Sequence, residues 1–509
     1  MLNEKNKRIA KNTIFLYVRM MVIMTVSLYT TRVVLDYLGV EDFGIYNIVG
    51  GIVVLLGFFQ NALNNASERF ITYELGKGNN QQQKRTFSMI MTTLIIISLL
   101  ALILAETVGW WFVNTQLNVS DDKIIAVNWV YQFSVFTFII NIFRTPYQAT
   151  IIAHEEMSFY AYISIIEAVF RLGAVIMLPF ISFDKLIVYG ILMFLVPLLI
   201  TVTFKVYCNI KFKISKYKFE WDKELFSKIM SFSSWSMLSG TANVGARQGG
   251  NILLNIFSGV AANAAYGISN QVGAAVSTFG SNLLTAFNPQ IIKQFASEDT
   301  ANLHKLIFRA SSFSFYLTMV IAVPFILNTE FILNIWLKDV PNYTVVFCQL
   351  IIIYQMIDMI QAPLTTLISA TGNIKSYQIW LSSLLILNIP ISWYLIKIGW
   401  SPYWILIIRI ILNFISSIIR IIYVNYFVNF PSWQYFKNVV IKASIVSFVS
   451  FSLSILIKQL FNTGILGFIY TTVFSIIISV LVIYLIGINR PERIFVNSIL
   501  KKFVPTKMK

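Results

Sequence analysis

Charge is what this chain has least of. Only 12% of its 509 residues are Asp, Glu, Lys or Arg. A soluble protein of this length needs far more polar surface and normally divides into several domains, so a soluble globular chain is excluded. Cysteine is nearly absent: Cys208 and Cys348 lie far apart and read as small core residues, not as a disulfide framework. Histidine is equally scarce, and His154 and His304 fall in separate polar loops where they read as solvated. No Gly-rich loop ends in Gly-Lys-Ser/Thr, and no metal-ligand spacing is present, so neither a nucleotide nor a metal cofactor is expected. Energy is then expected from an ion gradient or the membrane potential. Strand-like alternation is rare, which disfavours a β-barrel. The polar, basic start at residues 1–12 leads into a long apolar segment carrying Arg19 and Arg32, without a small-residue cleavage site. It reads as a first span and not as a cleaved signal.

Apolar runs of about 20 residues fill the rest, the length that crosses roughly 30 Å of hydrocarbon as helix. Mean hydropathy is +0.72. The runs predict an all-α integral membrane protein of about fourteen transmembrane helices. They lie near 13–35, 43–63, 87–113, 124–147, 159–181, 185–207, 229–256, 260–287, 307–328, 343–370, 376–396, 403–426, 438–458 and 464–487. The seventh and eighth are the least apolar and are rich in Gly, Ala, Ser and Asn.

Lys and Arg orient these spans. One side receives Lys5, Arg8, Arg69, Lys77, Arg85, the run from Lys205 to Lys228, Lys293, Lys305, Lys375, Lys437 and the tail from Arg490. The other receives Lys123, Lys185, Lys338, Lys397 and Lys458. Both termini are therefore expected in the cytoplasm. The net charge of +17 is topogenic and faces anionic lipid, which argues against nucleic acid as a partner. Outward loops are short. The tail 491–509 fits a short amphipathic surface helix or a simple stop-transfer end.

The chain also repeats itself. Residues 39–71 align without a gap on residues 259–291, with eight identities: Gly39, Val40, Tyr46, Ile48, Phe59, Leu63, Ala66 and Ile71 fall on Gly259, Val260, Tyr266, Ile268, Phe279, Leu283, Ala286 and Ile291. So apolar a composition gives roughly two or three by chance. The offset spans six helices, an even number, which predicts two six-helix lobes in parallel repeat plus two C-terminal helices. The expected organisation is an N-lobe at 1–208, a basic linker at 209–228, a C-lobe at 229–427, two appended helices at 428–487 and a basic tail at 488–509.

Charges inside spans are costly and mark cavities or partners. Glu167, Arg171, Arg247 and Asp358 fall near mid-membrane; Arg19 lies in the inner part of the first span and Arg32 near its outer end. Glu106 and Arg409 sit in outer halves, and Arg144 and Arg420 near inner ends, where they can snorkel to headgroups. Glu167 and Arg171, four apart, are expected to pair. Arg247 has no acid in its helix, and its setting from Ser239 to Asn251 is too polar for lipid. Such a segment lines a cavity or packs closely on another helix, and the cavity is the favoured reading. At the six-helix offset Arg19 falls on Ser239, Arg32 on Ile252 and Arg247 on Ser27, so the scaffold repeats and the charges do not. The excess of buried cations points to an anionic ligand such as a pyrophosphate. Arg247, Arg171, Arg19 and Arg32 are the candidate binding residues, joined by Asn270 and Gln271. Glu167, Asp358 and Glu106 are the candidates for a coupling proton or sodium ion.

The stretch Asn64-Asn65-Ala66-Ser67-Glu68-Arg69-Phe70-Ile71-Thr72-Tyr73-Glu74-Leu75-Gly76-Lys77-Gly78-Asn79, with the preceding Leu38-Gly39-Val40-Glu41-Asp42-Phe43-Gly44-Ile45-Tyr46, resembles Wzx-type polysaccharide exporters of the multidrug/oligosaccharidyl-lipid/polysaccharide superfamily. The resemblance implies two six-helix lobes and alternating access. It implies a flippase, not an enzyme, that exports an undecaprenyl-pyrophosphate-linked oligosaccharide across the bacterial inner membrane for O-antigen, lipopolysaccharide or capsule assembly. The implied partners are the lipid-linked substrate, membrane lipids and polysaccharide polymerase machinery. Competing readings are a multidrug or organic-cation antiporter of the same superfamily, a lipid II flippase, and a polyprenyl-linked glycosyltransferase. The arginine excess disfavours the antiporter, and the short outer loops disfavour the glycosyltransferase.

Overall fold

A computed structural model describes residues 2–54, 57–115, 123–337, 339–460, 464–489 and 492–493. Among these the chain is helical and forms no strand. The helices are α1 (Leu2–Val54), α2 (Gly57–Lys77), α3 (Asn80–Thr115), α4 (Ile124–Ala153), α5 (Met157–Phe180), α6 (Lys185–Lys211), α7 (Lys223–Ala296), α8 (Thr300–Leu327), α9 (Thr329–Trp336), α10 (Thr344–Thr371), α11 (Lys375–Lys397), α12 (Trp404–Val428), α13 (Ser432–Leu460) and α14 (Ile465–Gly487). Ten of them are long and apolar enough to cross a membrane. The four expected spans on α1, α2 and α7 fall outside that ten, so fourteen is not reached by length and hydropathy alone. The fold is an all-α membrane fold.

Helix starts follow local capping chemistry. Asn79, Asp184 and Asp222 each accept two backbone N–H bonds from the first turns of α3, α6 and α7, at 2.9–3.1 Å. At the far end of α12, Asn429 turns left-handed at φ 50°.

The repeat has a structural signature. Gly39 lies inside α1 at φ 79°, ψ 172°, and Gly259 inside α7 at φ 78°, ψ −178°. That region is essentially confined to glycine. In α7 the break reverses the chain: Asn263 donates to the Asn251 carbonyl at 3.1 Å, though twelve residues of straight helix would separate them by about 18 Å. The connections expected between the first two spans and between the seventh and eighth are thus single glycine breaks within continuous helical stretches.

The described residues form two compact units. One holds 1–241, 285–299 and 369–379; the other holds 242–284, 300–368 and 380–509. In the first, α4 packs along α6 and α2, and α1 along α5. Val34, Leu38, Val175, Leu178, Tyr189 and Met193 form an apolar cluster there. The second is built around Phe315, Met319, Phe347, Ile351, Ile352 and Val446. Cys208 and Cys348 are buried, one in each unit.

The Gly-rich start of α7 is tightly packed in its second half. A Cβ on Gly249 would fall 2.6 Å from Cδ1 of Ile389, and one on Gly250 would fall 3.1 Å from Cδ1 of Ile405. Close packing of α7 on α11 and α12 accounts for those glycines, where a cavity wall was expected. Gly240 and Gly245 face open space. The histidines also depart from expectation. The His154 ring lies 4.1 Å from that of Phe212, and His304 stands edge-on to Phe430 at 5.3 Å. The tail 494–509 lies outside the described residues.

Candidate functional site

In the first unit, α1, α4, α5 and α6 surround a cavity of about 420 Å³. Its charged wall is assembled by helix periodicity. Tyr160, Glu167 and Arg171 are seven and four residues apart on α5 and so share one face. Glu167 is the hub. Its Oε1 accepts from Nη2 of Arg171 at 2.8 Å, and its Oε2 accepts from Nη1 of Arg144 on α4 at 3.0 Å. Arg19 of α1 lies over the Tyr160 ring, 4.7 Å from its centroid, and its Nη2 donates to the Tyr160 hydroxyl at 3.4 Å. The Arg19 Nε is buried with no hydrogen-bond partner among the described residues.

Two guanidinium groups thus share one carboxylate, Arg19 adds a third cation to the wall, and the described lining carries a surplus of positive charge. The Arg171 side chain is 43% exposed, whereas those of Arg144 and Glu167 are 16% and 17%. Arg171 can therefore meet an incoming ligand without desolvation of the other two. Planar guanidinium forks match the oxygens of a phosphate or diphosphate.

Arg144 does not snorkel to the headgroups as expected. A carboxylate on the neighbouring helix lies within reach and satisfies it where water would have. Arg420 departs from expectation for the same reason. It is buried in the second unit, hydrogen-bonded to Gln361 and 3.7 Å from Asp358, both on α10. Arg409 of α12 lies over the ring of Tyr354, 4.4 Å from its centroid. Tyr354, Asp358 and Gln361 share one face of α10, so this second polar cluster is also built from helix periodicity.

The remaining sequence-derived candidates lie elsewhere. Arg247 belongs to the second unit; it is exposed and has no ion-pair or hydrogen-bond partner among the described residues. Asn270 spends one amide N–H on its own helix, donating to the Tyr266 carbonyl at 2.8 Å, and Gln271 is exposed. Glu106 sits on an exposed flank of α3 and accepts from Gln132 at 3.0 Å. It occupies a π-helical turn, Ala105–Gly109, where the Tyr131 hydroxyl donates to the Ala105 carbonyl at 2.8 Å. The Arg32 side chain lies outside the described residues. Sequence reasoning missed Tyr160 as a site residue. Its position seven residues before Glu167 was the available signal.

The polysaccharide biosynthesis protein family matches residues 9–286. The comparison with curated proteins found no match. Among solved structures, a MATE mutant is similar at TM-score 0.71 and 9% identity, covering 81% of this chain and 94% of that one. The MATE transporter ClbM in complex with Rb⁺ is similar at TM-score 0.70 and 13% identity, with the same coverage. A transporter of the multidrug/oligosaccharidyl-lipid/polysaccharide superfamily from Pyrococcus furiosus, described as having a binding pocket of reverse polarity, is similar at TM-score 0.66 and 10% identity, again covering 81% and 94%. At identities this low, TM-scores of 0.66–0.71 show a shared fold. The family match spans more than half of the chain, which belongs to the polysaccharide biosynthesis protein family.

Proposed function

We propose that the chain is a flippase that moves an undecaprenyl-pyrophosphate-linked oligosaccharide across the bacterial inner membrane by alternating access, for surface-polysaccharide assembly. The observation that carries this reading is the cavity wall of Arg19, Arg144 and Arg171 around the single carboxylate of Glu167. A diphosphate entering there competes with Glu167 for the Arg171 and Arg144 forks. The displaced Glu167 then becomes the group that carries a coupling proton or sodium ion. Asp358 and Glu106 are further coupling candidates, and Arg32, Arg247, Asn270 and Gln271 further binding candidates. The family supports handling of a lipid-linked sugar. The reversed pocket polarity described for the Pyrococcus furiosus relative shows that pocket charge varies within this superfamily, and an arginine-rich cavity suits an anion better than the organic cations of a multidrug antiporter.

Deletion of the gene followed by analysis of lipid-linked intermediates tests the reading. Intermediates stranded on the cytoplasmic face support the flippase. Normal glycans with drug hypersensitivity assign the antiporter instead.

A further inference from the structure

A second charged cavity, of about 810 Å³, lies in the first unit at the end where its basic loops converge. Its walls are the last turns of α2, the first turns of α3 and α7, and the turn that joins α10 to α11. At its floor, Arg69 is 8% exposed. It donates to the Ser369 and Ala370 carbonyls at 3.3 and 2.9 Å, and lies over the rings of Phe70 and Tyr73 at 4.5 and 4.6 Å. Those carbonyls end α10, so a cation is well placed against them. The turn is shaped to admit the guanidinium. Gly372 adopts φ +77°, and a Cβ there would fall 2.6 Å from Nη2 of Arg69. Burial lowers the Arg69 pKa to about 10, which leaves it charged at neutral pH.

Two ammonium groups stand above this floor. Lys77 lies over Tyr73 at 4.8 Å, and Lys375 over Trp235 at 5.3 Å. Neither has a carboxylate partner among the described residues. The other two cations of the wall are neutralised, Arg85 by Asp222 at 3.2 Å and Lys228 by Glu224 at 2.6 Å. That leaves Arg69, Lys77 and Lys375 opposed by Glu74 alone among the described wall residues. The aromatic faces hold the two ammonium groups by cation–π attraction while their N–H donors stay available. The volume falls within the roughly 300–1,000 Å³ of ligand pockets. Uncompensated, aromatic-backed cations at the end of a membrane protein match a phosphate more closely than a sugar or an organic cation.

We propose that this cavity is a second anion site, which binds a phosphate-bearing group through Lys77 and Lys375 above the fixed charge of Arg69. The group is either the headgroup of an anionic phospholipid or a soluble diphosphate. It is distinct from the Arg19–Glu167–Arg171 cavity and does not depend on what that cavity transports.

The test uses full-length protein carrying Arg19→Gln and Arg171→Gln, so that the first cavity does not register. In one arm, protein in phosphatidylcholine nanodiscs is titrated with inorganic pyrophosphate by calorimetry. In the other, nanodiscs contain phosphatidylglycerol, and native mass spectrometry counts the anionic lipid retained. The expected result is saturable binding in at least one arm, weakened about tenfold or more by Lys77→Gln with Lys375→Gln and restored by the paired lysine-to-arginine changes. Weakening in the first arm assigns a soluble diphosphate; weakening in the second assigns the lipid headgroup. Equal binding with and without the two lysines in both arms, or no binding in either, overturns the proposal. Both lysines are exposed, so the variants are expected to fold, and Lys375→Glu gives an independent charge-reversal check.

Discussion

At the scale of single residues, Glu167 does two opposing things. It neutralises Arg144 and Arg171, and it occupies the forks that an anion needs. Replacing it with glutamine removes the charge and keeps the shape. Glu167→Gln is therefore expected to lower unfolding stability, on the order of 2 kcal/mol for the lost charged hydrogen bonds, and to raise affinity for pyrophosphate. Both follow from thermal unfolding with and without that ligand. Equal or weaker pyrophosphate stabilisation in the variant would remove Glu167 from competition with the anion. Glu68, beyond the end of the second expected span, carries a different signature. Burial raises its pKa from 4.5 to about 7. The folded state then holds a proton that the unfolded chain has already lost between those values, so stability falls as pH rises from about 4.5 through about 7. Melting temperature in detergent should drop across that window in the wild type, and the drop should be shallower in Glu68→Gln. Parallel profiles would show that Glu68 does not contribute.

At the scale of elements, the informative pair is Gly39 and Gly259. Nothing lies within 4 Å of a Cβ built on either, so the cost of alanine there comes from the backbone alone. Each Gly→Ala is expected to destabilise by about 1–3 kcal/mol. Gly245→Ala is a contrasting control. It sits in helical backbone facing open space, and alanine there should stabilise by about 0.5–1 kcal/mol. Chemical unfolding of the three variants reads the difference directly; equal effects at Gly245 and Gly259 would contradict the assigned break. The sequence repeat already aligned these two glycines, because their conformation admits essentially one residue type and so leaves a visible trace. The partners of Arg144 and Arg420 left no such trace. Each meets a carboxylate on a different helix, 23 residues away for Arg144 and 62 for Arg420, and no local spacing encodes that approach. The Glu167–Arg171 pair was legible because both members share one helix face. Of the four arginines singled out from sequence, Arg19 and Arg171 meet in one cavity, while Arg247 lies in the other unit. Burial cost flags every charge within a span but does not say which of them share a space.

At the scale of the whole molecule, the bias of Lys and Arg alone sets the expected orientation, and the chain carries a convenient means of testing it. Its two native cysteines are both 0% exposed, so a membrane-impermeant maleimide should leave the unmodified protein unlabelled in intact cells. Single cysteines placed in loops then report on sides. Lys213 and Lys223 lie within the basic run from Lys205 to Lys228, whereas Lys185 and Lys397 belong to the opposite, sparsely charged set. With both termini cytoplasmic, Lys185→Cys and Lys397→Cys should label from outside, and Lys213→Cys and Lys223→Cys only after the inner membrane is made permeable. The same experiment examines the span count, because five expected crossings separate Lys213 from Lys397 and one separates Lys185 from Lys213, both odd numbers. Labelling of Lys397→Cys on the same side as Lys213→Cys would mean that one of the expected crossings between them does not exist. The glycine break in α7 is the first place to look, since its two arms are the least apolar of the expected spans and were not among the ten that hydropathy admits.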